Sequence, residues 1–116
     1  MSEIKRFNVG KRMSDMTVCN GVAYLAGQVA DDASLDMEGQ TKQVLATIDR
    51  LLAEAGTDKT RILRAQIFVA NIAEFSAMNK AWDAWVAGGH APARATVEAR
   101  LASPDYKVEI VVTAAL

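Results

Sequence analysis

Two of the predicted strands are apolar on both faces, and this constrains the fold more than any other feature of the 116-residue chain. The runs are Phe68-Val69-Ala70 and Ile110-Val111-Val112. Successive side chains of a strand point to opposite faces of its sheet, so such strands need cover on both sides. The number of helices that can supply this cover therefore decides the architecture.

Apolar residues at three- and four-residue steps predict two helices, and Asn20-Gly21 predicts a two-residue β-hairpin because both residues tolerate positive φ. Asp36 is the expected N-cap of the first helix, and Gly56 is its expected C′ residue. In the strand after that helix, Leu63 and Ala65 are expected to share a face. The predicted elements, in chain order, are strands at 4–9, 16–19 and 22–26, a helix at 37–55, a strand at 62–72, a helix at 74–87, and strands at 94–101 and 107–115.

This order predicts one α+β domain over residues 1–116, with two helices packed on one face of a mostly antiparallel sheet. Two helices cover only one sheet face. In so small a chain, a second copy is the economical cover for the other face. The sequence therefore predicts a homo-oligomer.

Composition argues against several classes of protein. The net charge of -1, without a clustered basic face, does not favour nucleic-acid binding. The single cysteine, Cys19, excludes an internal disulfide and fits a reducing compartment. The first residues do not resemble a secretory signal, and no apolar run approaches the ~20 residues of a membrane helix. We expect a cytoplasmic protein without membrane association.

Arg94 and Glu109 are the candidate functional charges, because charged groups in apolar strands are costly to desolvate without partners. A guanidinium fork matches a carboxylate, and a carboxylate could orient or deprotonate water or bind a substrate nitrogen. The alternatives are an arginine paired with Glu98 or another acid, and a solvated or ion-paired glutamate sharing a face with Val111 and Thr113. A hairpin of the last two strands would bring Glu109 nearer Glu98 than Arg94, so a site between subunits is at least as plausible as one within a subunit.

His90, the only histidine, excludes a multi-histidine metal site, and its Gly-rich surroundings favour a loop role. Cys19 has no neighbouring cation or histidine, which argues against a nucleophile. Trp82 and Trp85 fit the apolar stripe of the second helix and are expected in the core. No metal site is expected.

Four segments, in order along the chain, resemble the Rid family (reactive intermediate deaminases, also called the YjgF family), most of all its YoaB-like branch. They are YLAGQV at 24–29, FSAMNKAWDAW at 75–85, HAPARATVEARL at 90–101 and YKVEIVVTAAL at 106–116. The Pro-Ala-Arg-x-x-Val-Glu segment and the Val-Glu-Ile strand are the most specific part of this resemblance.

The resemblance implies a chorismate-mutase-like fold and a homotrimer whose sheets line a barrel-like core, with a ligand cleft between adjacent subunits. It implies hydrolysis of imines or enamines of 2-amino acids, such as 2-aminoacrylate and 2-iminopropanoate, to 2-keto acids and ammonia without metal or organic cofactor. By matching motifs, Arg94 would bind the substrate carboxylate, and Glu109 would position the water or the substrate nitrogen. Asn79 falls where the family often has a site asparagine, and Gly27 would contribute backbone at the cleft.

Two departures from the family concern the substrate-binding positions. Met13 stands where the deaminases carry a tyrosine, and Thr96 stands where a cysteine is common. Neither departure changes Arg94, which would bind the substrate carboxylate, but both put the substrate range in question. Two alternatives remain: a metabolite-binding regulatory trimer without turnover, and the ribonuclease or translation-inhibitor role of some family members. The near-neutral charge and the lone histidine argue against the last.

Overall fold

A six-stranded sheet carries two α-helices on one of its faces in the computed structural model, which describes residues 2–116. The elements are β1 (Lys5–Phe7), β2 (Met16–Cys19), β3 (Val22–Leu25), α1 (Met37–Glu54), β4 (Ile62–Val69), α2 (Phe75–Trp85), β5 (Ala93–Glu98) and β6 (Val108–Ala115). Two 3-10 turns, Lys59–Arg61 and Ile72–Glu74, precede β4 and α2. The strand order is β1-β2-β3-β6-β4-β5, and all neighbours are antiparallel except β4 and β5.

Local chemistry sets the turn and the helix ends that the sequence predicts. Asn20 and Gly21 have φ of 52° and 78°, the pair of positive values that a two-residue type I′ hairpin needs. The Asp36 carboxylate accepts a 2.8 Å hydrogen bond from the Gly39 N–H and so caps α1. Gly56, with φ of 82°, ends the helix in the left-handed conformation. These predictions are confirmed.

The two faces of the sheet are unlike. In β6, Val108 and Ile110 are buried against the helices, while Glu109 and Val111 point to the other side. We call the first side the helix face and the second side the open face. The open face carries Thr17, Tyr24, Gln66, Phe68, Ala95, Val97, Glu109, Val111 and Thr113. The predicted α+β fold, with helices on one face of a mostly antiparallel sheet, is confirmed.

The expected hairpin of the last two strands is wrong, because β4 lies between β5 and β6. After β4, α2 carries the chain back so that β5 runs parallel to β4, as a β-α-β connection allows. Residues 99–107 then lead to β6, which pairs with β4 on its other side. Glu98 is therefore not a cross-strand neighbour of Glu109.

The expectation that Leu63 shares a face of β4 with Ala65 is also wrong. A β-bulge lies between Ile62 and Arg64, whose partners Ala114 and Thr113 are consecutive residues of β6. The extra residue turns Leu63 outward, where 52% of it is exposed, while Ile62 joins the core. β4 also ends at Val69 rather than 72, because the next residues form the 3-10 turn that Asn71 caps.

Within residues 2–116, no helix combines the length and the apolar character that crossing a bilayer requires.

Candidate functional site

Arg94 lies on the helix face beside α2. Its register partner in β4 is the fully buried Ala65, which places its side chain on the same side as the helices. Its Nη1 donates a 2.7 Å hydrogen bond to Oδ1 of Asn79. Its Cζ lies 5.2 Å from the ring centroid of Trp82 and 5.9 Å from that of Phe75. The half-buried guanidinium is therefore oriented by three side chains of one helix.

The charge of Arg94 is not neutralised by its neighbours. Among residues 2–116, no carboxylate oxygen lies within 4.0 Å of its guanidinium nitrogens. Glu98, the partner considered from sequence, instead accepts a 3.0 Å hydrogen bond from the Ile72 N–H. With Asn79 holding one N–H group, the other donors of the fork are available to a planar anion such as a carboxylate.

Glu109 lies on the open face, in register with Phe68 of β4, as its alternation with Val108 and Ile110 predicts. Its carboxylate occupies the space that Gly27 leaves. A Cβ atom at Gly27 would overlap Oε2 of Glu109 and lie 2.9 Å from its Cδ. Two backbone hydrogen bonds of 2.9 and 3.1 Å between Gln28 and Ile110 hold the Gly27 segment against β6. Gly27 and Glu109 are therefore direct neighbours.

Thr96 follows Arg94 by two residues and lies on the same side of β5, opposite the buried Ile67 of β4. Its hydroxyl oxygen is buried and has no hydrogen-bond partner within residues 2–116. A buried hydroxyl without a partner is unfavourable, so the hydrogen-bonding capacity of this group is unsatisfied in the single chain.

Met13 is 55% exposed in the loop between β1 and β2. The loop is attached to the Gly27 segment, because the Ala26 N–H donates a 2.8 Å hydrogen bond to the carbonyl of Asp15. Met13 thus lies in a loop that is joined to the segment preceding Gly27.

The predicted site residues therefore form two groups. The arginine group (Arg94, Asn79 and Thr96) lies on the helix face, and the glutamate group (Glu109 and Gly27) is centred on the open face. Arg94 and Glu109 point to opposite faces of one sheet, with β4 between their strands. They do not meet within one chain.

The remaining candidates lie elsewhere. His90 contacts the carbonyl of Gly88 at 3.0 Å, which fits the expected loop role. Cys19 is a free, half-buried thiol. No group of three metal-ligating side chains occurs within the described part of the chain. A surface groove at the other end of β5 is lined by Glu98, Arg100 and Tyr106, away from Arg94.

Trp82 was predicted to lie in the apolar stripe of α2, but its contact with Arg94 and that of Phe75 were not predicted. Trp82 does lie in the core. The signal was present in the spacing, because residues 75, 79 and 82 share one helix face. That face turns an asparagine and two aromatic rings toward the same guanidinium.

Comparison with known proteins agrees with the resemblance seen in the sequence. Residues 3–116 match the family described as Endoribonuclease L-PSP. The chain is 54% identical to a RutC family protein of Haemophilus ducreyi over 113 residues, which is 97% of each chain. It is 47% identical to the RutC family protein YoaB of Escherichia coli over 97% of this chain and 98% of that one.

A solved structure of a YjgF family member from Neisseria meningitidis has the same fold. It superposes with a TM-score of 0.95 at 45% identity, over 97% of this chain and 94% of that one. Since both the sequence match and the structural match extend over nearly the whole chain, the protein belongs to the Endoribonuclease L-PSP family, also known as the RutC, YjgF or Rid family.

Proposed function

We propose that this protein hydrolyses 2-imino acids and their enamine tautomers to 2-keto acids and ammonia, without a metal or organic cofactor. The observation that carries the proposal is the oriented guanidinium of Arg94, whose charge no carboxylate of residues 2–116 neutralises. Such a group is prepared to bind the planar carboxylate that all these substrates share. Membership of the Rid (reactive intermediate deaminase) family supports the same reaction class.

The site would form between subunits of a homotrimer. The arginine and glutamate groups occupy opposite faces of the sheet, so one copy must bring its arginine group to the glutamate group of the next. The open face supports this assembly, because it exposes Tyr24 and Val97, which association would remove from water.

In the proposed reaction, Arg94 binds the substrate carboxylate and so places the C=N carbon near Glu109. Glu109 accepts a proton as water adds to the C=N carbon of the protonated imine, which gives a neutral tetrahedral carbinolamine. Glu109 returns this proton to the nitrogen, the C–N bond breaks as ammonia leaves, and the hydroxyl group passes its proton to Glu109 as the carbonyl forms. An enamine such as 2-aminoacrylate first takes a proton on its β-carbon and becomes the imine. Thr96 supplies a further hydrogen-bonding group beside Arg94.

The direct test measures ammonia and keto-acid release from imines that an amino-acid oxidase generates in situ. We expect Arg94→Ala to reduce kcat/KM roughly 100-fold, because a charged, bidentate contact to the substrate is lost. Arg50→Ala, which removes an exposed arginine of α1, is the matched control and should keep full activity. Equal activity of Arg94→Ala and the unaltered protein would contradict the proposal.

A second candidate function is a metabolite-binding trimer without turnover. It is favoured by Met13, whose thioether supplies no O–H where the family's deaminases have a tyrosine. In that case keto acids bind and Arg94→Ala loses the binding, while no ammonia is released beyond the uncatalysed rate.

A ribonuclease role has less support. The description of the family names an endoribonuclease, but this chain has a net charge of -1 and a single, exposed histidine. RNA cleavage that persists after rigorous purification and in Arg94→Ala would favour it.

A further inference from the structure

We propose that Trp82 is a positioning residue whose indole ring, together with the ring of Phe75, fixes the plane of the Arg94 guanidinium for carboxylate binding. The inference deepens the proposed function, and it rests on that function only in requiring that Arg94 binds a carboxylate.

The geometry is that of a cation held over two rings. The Arg94 Cζ lies 5.2 Å from the Trp82 centroid and 5.9 Å from the Phe75 centroid, both within the range of cation–π attraction. Asn79 lies between these residues on the same helix face and accepts the 2.7 Å hydrogen bond from Nη1. The rings act on the guanidinium through cation–π contact, and the amide anchors one of its nitrogens.

The rings of Trp82 and Phe75 and the amide of Asn79 form a platform for the guanidinium. This platform is rigid because Trp82, the larger of its rings, belongs to the core. Trp82 is only 5% exposed, and its ring packs on that of Trp85 with a centroid distance of 5.4 Å. Trp85 in turn donates a 2.9 Å hydrogen bond from its indole N–H to the Asp49 carboxylate of α1. Its backbone carbonyl accepts a 2.6 Å hydrogen bond from Lys59. The packing of α2 against α1 thus holds the Trp82 ring in place beside the guanidinium.

A purely structural arginine would be expected to pair with an acid, and Arg94 does not do so within residues 2–116. Rings and an amide can orient the cation while leaving its charge free, whereas a carboxylate would compete with the ligand. Fixing an arginine before binding also lowers the conformational entropy that binding would otherwise cost. The platform therefore explains how the site combines orientation with an available charge.

The test compares Trp82→Leu with Trp82→Phe, which keeps a ring. Binding of 2-oxobutanoate is measured by calorimetry, and kcat and KM are measured separately with in situ imines. Without the ring, we expect Kd and KM to rise about three- to thirty-fold while kcat changes less than about three-fold. In Trp82→Phe, Kd and KM should stay within about three-fold of the values of the unaltered protein. Phe7→Leu, which removes a ring 4.9 Å from the ammonium of Lys5 in β1, is the control and should change neither.

Fluorescence gives a readout that does not depend on the folding of Trp82→Leu. In Trp85→Phe the remaining tryptophan is Trp82, and in Trp82→Phe it is Trp85. Titration with propanoate, which is transparent at the wavelengths used, should change the emission of the first variant and leave the second unchanged. An equal response in both variants, or unaltered Kd and KM in Trp82→Leu, would overturn the inference.

These outcomes separate the two proposals. Weaker keto-acid binding in Trp82→Leu, with no turnover by the unaltered protein, supports the positioning role and contradicts the hydrolase. Full turnover with an unaltered KM in Trp82→Leu contradicts the positioning role alone. Absence of any carboxylate binding by the unaltered protein contradicts both.

Discussion

The arginine group and the glutamate group are held in place by different means. Arg94 is oriented by its own chain, with Asn79 at 2.7 Å and the Trp82 ring against the guanidinium. Within residues 2–116, no hydrogen bond is donated to the Glu109 carboxylate, which occupies the space beside Gly27. The arginine group is thus organised within the single chain, whereas the glutamate group would be enclosed only in the proposed assembly.

The same difference separates the two faces of the sheet. On the helix face, side chains such as Ile67 and Ile110 are fully buried, and each contributes about 1.5–3 kcal/mol by leaving water. On the open face, Val111 and Phe68 remain half-exposed in a single chain. The helix face therefore stabilises the single chain, whereas the open face leaves apolar area exposed, which the proposed assembly would bury.

The largest effect is expected from a substitution that prevents the proposed association through the open face. Val111→Lys places a charge in the centre of the open face, where burial against other copies would leave it unpaired. We expect a folded monomer by light scattering and circular dichroism, with activity reduced to background because the two groups no longer meet. Ala46→Lys, on the exposed surface of α1, should leave the oligomeric state of the unaltered protein unchanged. A fully active Val111→Lys monomer would show that the groups do not need to meet.

Removal of the open-face carboxylate should act on chemistry rather than on binding. Glu109→Gln keeps the size of the side chain and loses the base, so we expect kcat to fall about 10²- to 10⁴-fold. Keto-acid affinity, measured by calorimetry, should change little because Arg94 supplies the clamp. Glu3→Gln, near the exposed N-terminus, is the control. A large loss of affinity with unchanged kcat would assign Glu109 to ligand binding instead.

A smaller effect is expected when Glu109 is displaced rather than removed. The methyl group of Gly27→Ala would overlap its carboxylate, and a shift of about 1 Å at a reacting group costs roughly 100-fold in rate. Gly88→Ala is the matched control, because a Cβ there meets nothing within 4 Å and the residue needs no positive φ. Steady-state kinetics should show the loss in kcat for the first variant alone. Equal kcat values for both would mean that the Gly27 contact does not position the carboxylate.

Local signals carried most of the fold prediction. Asn20-Gly21 and Asp36 act through a few neighbouring residues, so their roles are readable without knowledge of the tertiary structure. The β5–β6 hairpin was predicted wrongly because strand order depends on which edges meet after α2 packs, and no local pattern encodes that. The bulge at Leu63 likewise depends on the partner strand.

For the candidate site, the sequence and the family resemblance indicated which residues to examine but not their arrangement. The alternation of β6 correctly placed Glu109 on the face away from the helices. The opposite orientation of Arg94 could not be predicted, since it follows from the parallel register of β5 on β4. The contact of Trp82 with Arg94 was not predicted for the same reason. It forms between the apolar stripe of α2 and β5, and the position of β5 relative to α2 was unknown.

The smallest predicted effect concerns the charge left free on Arg94. Asn79→Ala removes the 2.7 Å hydrogen bond that anchors one nitrogen of Arg94, so we expect Kd for 2-oxobutanoate to rise about two- to ten-fold. Asn79→Asp retains an acceptor and strengthens its bond to the guanidinium, but its charge offsets the one the ligand needs. We therefore expect calorimetry to show weaker binding for Asn79→Asp than for Asn79→Ala, although its arginine is held more firmly. The reverse order would mean that orientation of Arg94 matters more to binding than its unpaired charge.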